Sequence, residues 1–119
     1  MSKRIEKETK CACCNKDSIQ YEYMSRFIPK DSFYNRLMDI EECPHCHYVN
    51  MHINLESKRD HFRDIVNSPE YQSLFKDTTS INKNEANKYK AFLLLTTDRQ
   101  DKIDALQIIK YYENLDKKN

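Results

Sequence analysis

The chain has 119 residues, enough for one compact domain or for a small metal-stabilised module joined to a second small unit. Lys and Arg number 20 against 19 Asp and Glu, so the net charge of +1 sets up no long-range field toward nucleic acid, anionic lipid or an acidic substrate. Glycine is absent, where ordinary usage of roughly 7% predicts about eight, and this excludes a phosphate-cradling glycine loop, a dinucleotide fingerprint and a glycine-flanked serine elbow.

No apolar run approaches the roughly twenty residues needed to cross a bilayer, so the expectation is a soluble protein with no membrane partner. Met1 to Lys10 is charged with no hydrophobic segment behind it, which reads as the lack of a secretory signal and points to the reducing cytoplasm. In that compartment five cysteines suggest metal or thiol chemistry, because disulfides would not persist.

Four of the cysteines form two C-x-x-C pairs, Cys11/Cys14 and Cys43/Cys46. Two residues between thiolates let the chain make a tight turn whose backbone amides point at sulfur. Two such knuckles face to face supply four ligands at tetrahedral geometry, a closed and structural set for one Zn2+ ion. The spacer between Cys14 and Cys43 exceeds the roughly fifteen to twenty residues of the simplest pattern, yet suits a β-hairpin that leaves one knuckle and returns to the other. The residue after each second cysteine needs positive φ, and here Asn15 and His47 stand there; both types are enriched in the left-handed region among non-glycines. Pro44 pre-sets φ in the second turn.

Cys13 sits beside Cys14, where neighbouring side chains cannot both approach one metal, and reads as a spare thiol. His45 and His47 read as turn histidines; replacement of a cysteine by either, or a hydrogen bond from His47 to a sulfur, is the alternative. His52 and His61 have no partner visible in sequence. Asp39, Glu41 and Glu42 near the second knuckle read as solvated carboxylates, and a four-thiolate shell lacks the open position that a catalytic metal needs, so no enzyme is expected.

Between the knuckles, Ile19, Tyr21 and Tyr23 alternate with polar residues and predict a half-buried strand. Pro29 to Ser32 is turn chemistry. Phe33 to Glu42 leads into the second knuckle and Val49, Met51 and Ile53 alternate out of it, which outlines a three-stranded zinc ribbon. Tyr21, Tyr23, Phe27, Phe33 and Tyr34 with Arg26, Lys30 and Arg36 outline an aromatic and basic face of the sort that stacks bases, although such aromatics more often pack a small sheet.

From Ser57 the period becomes helical. Ser57 and Asp60 resemble a capping box ahead of Phe62, Ile65 and Val66. Ser68-Pro69-Glu70 starts a second helix with Ser68 as N-cap, and Tyr71, Leu74 and Phe75 form its stripe. Lys76 to Lys83 reads as a loop. Asn84 to Leu95 carries Ala86, Tyr89, Phe92 and Leu93 at helical spacing, and Thr97 with Gln100 resembles a capping box for a last helix to about Leu115, with Ala105, Ile108, Ile109, Tyr112 and Leu115 inward. The short link predicts an antiparallel αα-hairpin that packs on the ribbon. Asp116 to Asn119 reads as a solvated end. The expected fold class is α+β: a four-cysteine ribbon module over residues 1–56, then a helical region over 57–119 that ends in a hairpin resembling one tetratricopeptide-like unit.

The order C-x-x-C, a β-rich middle and C-P-H-C-H-Y followed by helices resembles an uncharacterised bacterial family, the domain of unknown function 2225. The resemblance covers about Cys11 to Asn119 and rests on Cys11, Cys14, Cys43, Pro44, Cys46 and Tyr48. It implies a zinc-ribbon-like start and tetratricopeptide-like helices, and no activity. This chain departs from the pattern in lacking proline in the first pair and glycine after both.

Three functional readings follow. The first is a structural zinc-binding module that engages another protein. The second is a zinc-ribbon nucleic-acid binder, which would depend on Arg26, Lys30 and Arg36 and weaken steeply with salt. The third is a rubredoxin-like electron carrier with iron at the same sulfurs; against it, rubredoxins are small and acidic with glycines at their knuckles.

Overall fold

A computed structural model describes residues 3–24, 40–76 and 80–117. Its order is ββββαααα, an α+β fold with two small antiparallel hairpins ahead of the helices. Strands β1 (Lys3–Lys10) and β2 (Asp17–Met24) pair from Lys3↔Met24 to Lys10↔Asp17. Strands β3 (Glu41–Glu42) and β4 (Val49–Asn50) pair as Glu41↔Asn50 and Glu42↔Val49.

Among the described residues the strands form two separate two-stranded sheets, and each hairpin closes over one cysteine knuckle; most of the Phe33 to Glu42 segment expected to complete a three-stranded ribbon lies outside them. The charged start of the chain is the strand that sequence reading missed. With Ile5 as its only apolar residue, it has no alternating pattern, and its partner's backbone fixes it as a strand. Side chains then hold the hairpin down. Gln20 Nε2 donates to the Glu42 carbonyl at 3.0 Å, and Lys7 Nζ lies 2.9 Å from the Glu41 carboxylate.

The helices are α1 (Phe62–Val66), α2 (Pro69–Ser73), α3 (Ile81–Leu95) and α4 (Arg99–Lys117). The Ser57/Asp60 capping box does not form. Ser57 Oγ donates instead to the Leu95 carbonyl and accepts from Arg59 N, so α1 waits until Phe62, behind His61 at φ 60°. Ser68 caps α2 as expected, accepting from Tyr71 N at 3.3 Å with Pro69 in the first turn. α3 starts three residues earlier than its apolar spacing suggests, because Ser80 accepts from Lys83 N at 3.2 Å. At α4 the cap is Asp98, whose carboxylate accepts from Asp101 N at 2.9 Å, in place of Thr97. An anionic cap also meets the positive end of the helix dipole.

α3 and α4 form the predicted antiparallel hairpin, with Ala86, Tyr89, Phe92 and Leu95 buried from one helix and Ala105, Ile108 and Ile109 from the other. A single core joins these residues to Cys11, Cys43, Tyr48, Val49, Ile53, Phe62, Val66 and Tyr71, so the helices pack directly on the knuckles. Among the described residues, no helix is long and apolar enough to cross a membrane.

Candidate metal centre

The two knuckles repeat one hydrogen-bond pattern. In the first, Cys11 N donates to Lys16 O at 3.0 Å, Asn15 N to Cys11 O at 2.9 Å and Cys13 N to Cys11 Sγ at 3.3 Å. In the second, Cys43 N donates to Tyr48 O at 2.9 Å, His47 N to Cys43 O at 2.9 Å and His45 N to Cys43 Sγ at 3.4 Å. Asn15 and His47 hold φ at 64° and 68°. The expected left-handed positions and sulfur-directed amides are both present, in a chain with no glycine to supply them.

The turns face each other. Cys11 Sγ lies 3.7 Å from Cys46 Sγ and Cys14 Sγ 3.7 Å from Cys43 Sγ, and all four sulfurs fall within 4.8 Å of one another. A tetrahedron of sulfurs around a metal at about 2.3 Å has edges of about 3.8 Å, whereas a disulfide closes to about 2.05 Å. All five cysteines are free thiols. This donor set fits a metal cation at the common centre.

The electrostatics agree with that fit. Without a cation, burial pushes the Cys11 thiol up to about 11 and raises that of Cys46 further. At Cys14 burial also pulls upward, but hydrogen bonds from the Lys16 backbone and the neighbouring thiols outweigh it, and the net direction is down. Closely packed thiolates, two buried and two half-buried, repel one another unless a cation neutralises them.

Cys13 lies outside the four-sulfur set, half-buried against the core, and burial raises its thiol. His45 and His47 take other partners. His45 Nε2 is 3.0 Å from Asp17 O, which ties the second knuckle to β2. His47 Nδ1 is 2.9 Å from Glu42 Oε2, and its ring stacks on Phe75. His52 and His61 face Glu41 at 3.5 Å and Asp64 at 3.8 Å.

Glu41 is 6% exposed rather than solvated; it accepts from Ile53 N at 2.9 Å and pairs with Lys7. Also unforeseen is the brace from the helices. Tyr71 Oη donates to His47 O at 2.6 Å, Gln72 Nε2 to Cys46 O at 2.9 Å and Arg63 to Ala12 O at 2.9 Å. Glu42 could have been suspected from its place before Cys43, but nothing local marks Gln72 or Arg63. Arg26, Phe27, Lys30, Phe33, Tyr34, Arg36 and Asp39 lie outside the described residues, as does the side chain of Tyr23.

Compared with known proteins, the chain matches no family model, no curated protein and no solved structure.

Proposed function

We propose that Cys11, Cys14, Cys43 and Cys46 hold one structural Zn2+ ion, and that the fold it organises serves as an adaptor that engages another protein. The observation that carries this reading is the meeting of two matched knuckles with four sulfurs within 4.8 Å of one another. Four thiolates fill a tetrahedral shell, so the ion's work is to hold the fold, with no position left for substrate.

Both knuckles and the helices that brace them share one core. Metal binding is thereby coupled to the shape of the whole surface. The near-neutral charge also favours a protein surface over a polyanion as partner.

Elemental analysis of protein purified anaerobically without chelator tests the metal. One zinc per chain in a colourless preparation is the expected result; a red preparation with iron instead supports the electron carrier. Affinity isolation from the native cell tests the adaptor role: a partner should be retained by the native chain and lost with Cys43→Ser.

A further inference from the structure

We propose that one face of α4 docks an acidic amphipathic helix of a partner protein. The proposal rests on the adaptor reading and gives the partner its chemistry. α4 presents two apolar faces. Ala105, Ile108 and Ile109 are buried, and beside them Tyr112 stacks near Tyr89 of α3. On a neighbouring face Ile103 and Leu106, one turn apart, are 40% and 55% exposed and line a shallow groove of about 490 Å³ with Gln107, Lys110 and Glu113.

The charges on that face say what covers it. Arg99, Lys102 and Lys110 recur at helical spacing around the apolar pair, all exposed, and none makes an ion pair among the described residues. The carboxylate there, Glu113, is already matched by Lys90 at 3.2 Å. A protein of net charge +1 thus concentrates three unmatched cations around two exposed aliphatic side chains. Arg99 and Lys102 also sit in the first turns of α4, at the positive end of its dipole, where basic residues weaken a helix.

Apolar anchors at i and i+3 ringed by cations match a helix that lays leucines into the groove and carboxylates along its rim. A lipid surface calls for a wider apolar face. A phosphate backbone draws nothing from Ile103 and Leu106. A second copy of the same face would set its cations against their own kind.

The test is a nuclear magnetic resonance titration of the metal-loaded protein. Its probe is a short capped helical peptide with leucines along one face and glutamates elsewhere; a matched peptide carries lysines in place of the glutamates. Amide shifts confined to 99–113 and a preference for the glutamate peptide are expected. Leu106→Asp should weaken binding by about tenfold or more, and the Lys102→Glu, Lys110→Glu pair should reverse the preference. These positions are exposed, and metal content measured on each sample reports that the fold is kept. Shifts elsewhere, or equal binding of both peptides, would overturn the proposal. So would binding of oligothymidylate or phosphatidylserine vesicles through the same residues. If a cellular partner is retained equally by the native chain and Leu106→Asp, the docking face is wrong while the adaptor reading stands.

Discussion

The imidazole of His47 lies flat on the ring of Phe75, with centroids 4.6 Å apart and planes 9° from parallel. His47 is the left-handed residue that closes the second knuckle, and Phe75 follows the end of α2. One stacked pair therefore links the geometry of a metal-binding turn to the helical half of the molecule.

Removing that pair should loosen the knuckle before it unfolds the protein. Phe75→Ala, at a half-buried site, is expected to cost about 2 kcal/mol, less than a fully buried aromatic. Thermal melting measures the loss, and a colorimetric chelator should draw metal from the variant faster than from the native chain.

Asn15 supports a matched pair of substitutions, because its φ of 64° is set by the first knuckle. Asn15→Gly should leave stability within about 1 kcal/mol of the native value, since glycine enters the left-handed region freely. Asn15→Val should lose about 1–2 kcal/mol, because a β-branched residue is strained there. Denaturant titration of both variants separates backbone strain from loss of a side chain.

Glu41 is the buried anchor of the first hairpin. Glu41→Gln keeps the shape, leaves Lys7 unmatched and weakens the acceptor for Ile53 N. A loss of about 2 kcal/mol is expected, less than for breaking a fully buried pair because Lys7 is partly exposed. Hydrogen exchange should show β1 and β2 losing protection first, with α3 and α4 unchanged.

Alkaline pH gives a further test. Burial pushes the Tyr48 hydroxyl up to about 12 and raises that of Tyr71 further, against an ordinary value of 10.0. A folded pKa above the unfolded one contributes stability that is complete below pH 10 and is lost as pH rises through about 12. Absorbance at alkaline pH should therefore show these two phenols ionising late, together with unfolding.

What could be read from the sequence follows from how local its causes are. The knuckles were legible because spacing, a turn and a left-handed residue all lie within six positions of Cys11 or Cys43. The α3–α4 hairpin was legible because Tyr89, Phe92, Ile108 and Ile109 recur at helical period. β1 was not, because Lys3–Lys10 becomes a strand through its partner's backbone. The start of α1 was misjudged because Ser57 bonds to Leu95, far along the chain. The braces from Arg63, Tyr71 and Gln72 exist only once the helices fold back on the knuckles.

X-ray absorption at the zinc edge of the purified protein examines the centre most directly. Four sulfur neighbours at about 2.3 Å, with all four lost when Cys11, Cys14, Cys43 and Cys46 are replaced together by serine, is the predicted result. A shell containing nitrogen or oxygen ligands, or protein that takes up no metal under reducing conditions, would contradict it.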